Sequence, residues 1–108
     1  MTSTSTVEIE YDGKNIKEAS CGDGPVDATF KAIEKAIGID VTLNDYFIKS
    51  VGYGKDALGE ATVKIEKEGK IFSAKGVSTD IVEASGKAFI NAMNKIHYES
   101  SLKKDEEC

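Results

Sequence analysis

The sequence predicts a small α+β domain built from two copies of one hairpin-and-helix unit, with an added strand ahead of the second copy. Three observations predict it. Residues 7–37 align on residues 63–93 without a gap, and ten of the aligned pairs are identical, a self-similarity that signals an internal repeat. Each copy opens with period-two alternation broken by an acidic residue and a glycine, and each then carries an apolar stripe at helical spacing.

In order along the chain, Val7 and Ile9 alternate with Glu8 and Glu10 as in a half-buried strand, and "YDGK" supplies the acidic-glycine chemistry of a tight hairpin turn. "GDGPVDA", Gly22 to Ala28, then places Pro25 where a helix tolerates a missing N–H, at its first position. The helix that follows buries Val26, Phe30, Ile33 and Ile37 on one stripe. "VTLNDYFIKSVGYG", Val41 to Gly54, has no counterpart in the first copy and is expected to be an extra strand. "ATVKIEKE" alternates Ala61, Val63 and Ile65 against Thr62, Lys64 and Glu66, "KEGK" makes the second hairpin turn, and the second helix carries Val82, Phe89, Met93 and Ile96. Alanines four apart, Ala28/Ala32/Ala36 and Ala84/Ala88/Ala92, give each helix a slim side for close packing.

The expected architecture is a βββα-like repeat whose first unit lacks its first strand, related to the second by a pseudo-twofold, with two helices packed on antiparallel sheet. The first unit spans 7–37, the second 41–96, and 97–108 form a polar tail expected to be disordered. The missing strand suggests a piece of a longer protein.

With 108 residues, 40% hydrophobic and 31% charged, the chain suits a single core. Its net charge of −5, with lysines interleaved among acids and no arginine, argues against nucleic acid and against a double-stranded-RNA-type fold. No apolar run is long enough for a membrane span and no signal peptide is evident, so a cytoplasmic location is expected. Cys21 and Cys108 are expected to be reduced thiols, Cys21 as a small buried residue at a strand end.

The two helix starts are the candidate chemistry. Gly22 and Gly24 suggest backbone that a Cβ would obstruct and a helix N-terminus with uncovered N–H groups, while Asp80 with Glu83 three residues on is a capping-box pattern. An open helix start attracts a carboxylate by its N–H groups and dipole. Asp23, Asp27, Asp80 and Glu83 at the same corners disfavour a polyanion and favour a ligand that also carries an ammonium group, such as a free amino acid. Plain helix capping accounts for the same acids without a ligand. "GYGKDALGEA", Gly52 to Ala61, lacks the Walker order and is expected to be a bend or a ligand wall. Catalytic residues and metal ligands are not nominated by spacing, and His97, expected at the C-terminal end of the second helix, is an ordinary surface residue.

Three blocks in order, "GDGPVDA", "DALGEA" and "STDIVEAS", resemble the C-terminal regulatory domain of α-isopropylmalate synthase and of the related citramalate synthase, over Val7 to Ile96. The resemblance implies a domain that dimerises and binds the end-product amino acid, leucine in the one case and isoleucine in the other, for feedback inhibition. It implies no cofactor in this domain, and a separate catalytic barrel using a divalent metal and acetyl-CoA. Carried over by position, the effector-binding candidates are Gly22, Asp23, Gly24, Pro25 and Ala28, then Ala57, Leu58, Gly59 and Ala61, then Thr79, Asp80 and Ile81. The N–H groups after Gly24 and Asp80 would take the carboxylate, Asp23 or Asp80 the ammonium, and Pro25, Leu58 and Ile81 the aliphatic chain, with the two helix starts brought together by the pseudo-twofold. A dimerisation module without ligand is the rival reading.

Overall fold

The structure, a computed structural model, describes residues 3–11, 13–52 and 57–107, with side chains as far as Glu99. Asp12 of the first turn, Tyr53 to Asp56 of the glycine-rich segment, and Cys108 lie outside the described residues. The chain divides into two compact units, one up to Val41 and one from Thr42 onward.

In the first unit, β1 (Ser3–Tyr11) pairs antiparallel with β2 (Lys14–Gly22), from Ser3 opposite Gly22 to Tyr11 opposite Lys14. Gly13 in the connecting turn has φ 76°, left-handed backbone that favours glycine. Alternation half-buries Ser5, Val7 and Ile9 and leaves Thr4, Thr6 and Glu8 exposed. α1 (Pro25–Ile37) follows and packs on the hairpin, burying Ala28, Thr29, Phe30, Ala32 and Ile33. Val26 and Ile37, expected on the same stripe, are only half-buried at its two ends. Gly38 ends the helix in left-handed conformation and returns its N–H to Glu34 O at 2.7 Å, a helix stop that needs a residue tolerant of positive φ.

The second unit is a three-stranded antiparallel sheet in the order β3 (Thr42–Val51), β4 (Leu58–Lys67), β5 (Lys70–Ser78), followed by α2 (Ile81–Glu107). The expected extra strand is β3. Glu68 and Gly69, both at positive φ, close β4 onto β5 as a two-residue turn between Lys67 and Lys70, the backbone that the strands' right-handed twist prefers. α2 packs on β4 and β5, and Ala61, Val63, Ile65, Ala74, Ala84, Ala88, Phe89, Ala92, Met93 and Ile96 make the core. Each fully buried large side chain, such as Phe89 or Ile65, contributes about 1.5–3 kcal/mol.

The close approach that the alanine ladders suggested is made at one glycine in each unit. A Cβ on Gly76 would collide with Ala84 O and Ala88 N of α2, and one on Gly22 would lie 2.5 Å from Ala28 N of α1. Strand and helix backbones touch at these points, with no side chain between them.

The free edges of the sheets are treated differently. On β5, Asn91 Nδ2 donates to Lys75 O at 2.9 Å and Lys95 Nζ donates to Ser73 O, so α2 covers that strand's outward carbonyls. Lys35 Nζ reaches Ala19 O of β2 at 3.4 Å. Among the described residues β3 pairs with β4 alone, as β1 does with β2, and its Leu43, Phe47 and Ile48 are 44%, 46% and 37% exposed. A bulge between Leu43 and Asp45 interrupts one end of β3, and the stretch from Asp45 to Val51 is regular.

Three expectations are corrected. α2 continues to Glu107 through the expected disordered tail, so His97 lies within the helix and not at its C-terminal end. The segment holds no Gly or Pro to stop a helix, and Glu99 is tied to Lys70 of β5 by an ion pair. Cys21 is exposed, because it falls on the sheet face opposite the one that Gly22 turns to α1.

Candidate functional site

The first corner is the junction of β2 and α1. Gly24 is the N-cap and, having no side chain, gives the helix no side-chain cap. Its carbonyl accepts from Ala28 N at 2.9 Å. The requirement for glycine that the sequence suggested holds at Gly22 but not at Gly24, whose backbone is extended at φ 168° and whose Cβ position is open space. What Gly24 supplies is absence of cover over the helix start.

Asp27 is committed inside this corner. Its Oδ2 accepts from Asp23 N at 2.9 Å and pairs with Lys31 Nζ at 3.1 Å. The Asp23 N–H first, and then Lys31, hold the Asp27 carboxyl below the usual carboxylate range. Asp23 and Pro25 are exposed, whereas Ala28 is fully buried beneath the corner. One turn in, Thr29 Oγ1 donates to Pro25 O at 2.7 Å and meets Ser5 Oγ at 2.9 Å.

The second corner gathers residues from two of the three sequence blocks. Gly59 on β4 stands opposite Ser78 on β5, and a Cβ on Gly59 would contact Ile81 Cγ1 at 3.6 Å. Thr79, Asp80 and Ile81 are exposed there, with Leu58 and Gly59 half-buried beside them. Ala57 is exposed just before β4, and Ala61 is a core residue at 0% exposure.

Asp80 caps α2: its Oδ1 accepts from Val82 N at 2.8 Å and Glu83 N at 3.4 Å. These bonds occupy the N–H groups that the sequence offered to a ligand carboxylate. The capping box is also rearranged, since Asp80 N donates to Ser78 Oγ at 3.2 Å and Glu83 Oε1 pairs with Lys87 at 3.2 Å. The two helix starts are therefore unlike: the one at Gly24 lacks a side-chain cap, and the one at Asp80 is capped.

Two polar arrangements escaped the sequence reading. Ser85, fully buried on α2, donates to Ile81 O at 2.7 Å and receives Tyr46 OH of β3 at 2.6 Å. The signal that could have found it is the repeat, because Ser85 aligns with Thr29 and each bonds the carbonyl four residues back. The second is Glu60 on β4, whose Oε1 lies 3.6 Å from Lys49 of β3 and 3.7 Å from Lys75 of β5.

Elsewhere, a shallow depression of about 440 Å³ at the far end of α1 is lined by Lys31, Glu34, Lys35, Gly38 and Asp40. Burial pushes the Glu34 carboxyl up, partly offset by an N–H from Val41. The lining mixes both signs of charge and contains none of the candidate effector-binding residues. No group of three or more His, Cys, Asp or Glu placed to hold a metal occurs among the described residues. No helix there is long and apolar enough to cross a membrane.

Residues 1–97 match the model of the LeuA allosteric (dimerisation) domain. The chain is 80% identical over 103 residues to a 2-isopropylmalate synthase of Clostridium kluyveri, covering 95% of the chain and 20% of that enzyme. It is 58% identical over 95 residues to the 2-isopropylmalate synthase of Ruminiclostridium cellulolyticum, covering 88% and 19%. With that of Pyrococcus furiosus it shares 47% over 95 residues, covering 87% and 19%. The chain thus spans about a fifth of the length of these relatives.

Proposed function

The chain belongs to the LeuA allosteric (dimerisation) domain family, and from that premise we propose that it is the effector-sensing and dimerising part of a 2-isopropylmalate synthase, binding leucine as feedback inhibitor. The observation that carries this reading is the 80% identity to such a synthase across nearly the whole chain. Catalysis, with its divalent metal and acetyl-CoA, belongs in this reading to a barrel elsewhere in the parent enzyme.

The physical roles follow from the two corners. The helix start at Gly24 offers N–H groups without a side-chain cap to a carboxylate. Asp23, which is exposed, is the better ammonium partner, because one Asp80 oxygen is already spent on capping. Pro25 supplies aliphatic surface at the first corner and Leu58 and Ile81 supply it at the second, and burying a leucine side chain against such surface is worth about 1.5–3 kcal/mol. Ala28 and Ala61 act from beneath as packing. Inhibition requires that the ligand bind one arrangement of the parent enzyme more tightly than the other, since equal affinity shifts nothing.

Isoleucine, the citramalate synthase effector, differs from leucine by the position of one methyl group, a change that a hydrophobic pocket discriminates by about 1–3 kcal/mol. Calorimetric titration of the 108-residue chain with leucine, isoleucine and valine tests the reading. Heat with leucine that is lost in Asp23→Ala supports it; silence toward all three leaves a ligand-free dimerising domain.

A further inference from the structure

We infer that the dimerising surface of this domain is the free edge of β3, which pairs antiparallel with the same strand of a second copy, Phe47 opposite Phe47. The inference rests on the dimerising role proposed above and names the surface and register that perform it.

An uncovered strand edge is a template for another strand, and proteins ordinarily blunt it. Here the sheet of the second unit has two outer strands, and among the described residues only one is covered. α2 places Asn91 and Lys95 on the outward carbonyls of β5. At β3 the comparable bond is local, Asp45 Oδ1 accepting from Tyr46 N at 2.9 Å. β3 also keeps apolar side chains exposed on both faces. Register places Tyr46 opposite Val63 and Ile48 opposite Ala61, on the face that α2 covers over β4. Phe47, opposite Thr62, and Lys49, opposite Glu60, lie on the other face.

A second copy is favoured by what its own residues bring. Strands paired about a twofold must set residues of like facing opposite one another, because side chains alternate. Centring the axis on Phe47 sets Tyr46 against Ile48 twice and Asp45 against Lys49 twice. The aromatic pair sits at the middle, and opposite charges flank it on the same face. Lys49 already pairs with Glu60, and Asp45 stands opposite Lys64. The joined sheet then carries the row Glu60, Lys49, partner Asp45, partner Lys64, with alternating charge across four strands. Centring on Ile48 instead sets Asp45 against Val51 and Lys49 against Phe47, which leaves both charges opposite apolar or aromatic groups. Cross-strand opposite-charge and aromatic pairs are the units that stabilise such pairing.

The test is disulfide trapping in a background where Cys21 and Cys108 are serine, with sedimentation of the unoxidised chain alongside. Phe47→Cys should cross-link under mild oxidation at least about tenfold faster than Ile48→Cys, because a residue on the axis meets itself and its neighbour does not. Asp45→Lys, which sets lysine against lysine twice, should weaken dimerisation about tenfold. A stable dimer that Phe47→Cys does not trap, or that Asp45→Lys leaves unchanged, overturns this surface while the dimerising role stands. A chain that sediments as a monomer overturns both.

Discussion

Tyr46 OH lies 2.6 Å from Ser85 Oγ, and because Ser85 spends its own proton on Ile81 O, the tyrosine is the donor. The bond fastens an outer strand to the first turn of α2, at a serine with no solvent exposure. β3 is also joined to β4 by its ladder and by the Lys49–Glu60 ion pair. Tyr46→Phe keeps the ring and leaves a buried acceptor short of a donor. The expected cost is about 1–1.5 kcal/mol in chemical denaturation. A change within error would show that the hydroxyl pair is not part of what holds β3.

Gly76 and Gly24 should respond oppositely to a side chain. Gly76→Ala forces a methyl group into the backbone of α2 at Ala84 and Ala88, and should cost about 3 kcal/mol or displace the helix. Gly24→Ser enters open space at an N-cap, where serine gains a few tenths of a kcal/mol, roughly, over glycine. Thermal unfolding separates the two. In the proposed function Gly24→Ser also weakens effector binding, because its hydroxyl covers the helix start.

Asp80→Ala removes the acceptor for Val82 and Glu83 N–H. Loss of such a cap costs about 1 kcal/mol. The equivalent change at the first corner, Asp27→Asn, should cost less than about 1 kcal/mol, since the carboxylate is 44% exposed and its pairing with Lys31 is screened. Denaturation midpoints of the two variants, measured in one buffer, check the order.

Two carboxyls of α1 carry opposite pH signatures. Asp27 is held below its ordinary value by the Asp23 N–H and Lys31, so its contribution is present above the ordinary carboxylate pKa and is lost as pH falls through the depressed value. Wild type should therefore exceed Asp27→Asn at neutral pH, with the gap closing as pH falls through the depressed value. Glu34 is pushed up by burial, so its contribution is present in acid and lost as pH rises through the raised value. Glu34→Gln should gain on wild type between acid and neutral pH. Urea titrations across that range check both signs, and parallel curves for the two variants would contradict the assignment.

The period-two and helical stripes placed the strands and helices, because a half-buried strand and a one-sided helix must write their facing into the sequence. Ala61, Val63 and Ile65 are buried as the alternation required, and Phe30, Ile33, Phe89 and Met93 as the helical spacing required. Edge detail was not legible. Cys21 was assigned by its residue type, yet facing is decided by register, and Gly22 rather than Cys21 meets the helix. Among the candidate site residues, Gly59 and Ile81 were found in separate blocks and do come together. The occupied N–H groups at Asp80 could not be foreseen, because the pattern that marks a cap is also the pattern that marks an anion site. Tyr46 and Ser85 are 39 positions apart and follow no local rule.

The seal that α2 lays along β5 limits how large an assembly can grow. Two sheets joined through β3 present β5 at either extremity, where Asn91 and Lys95 already hold the carbonyls that a further chain would need. Growth of the joined sheet through β5 is then blocked, because a further strand finds those carbonyls already taken.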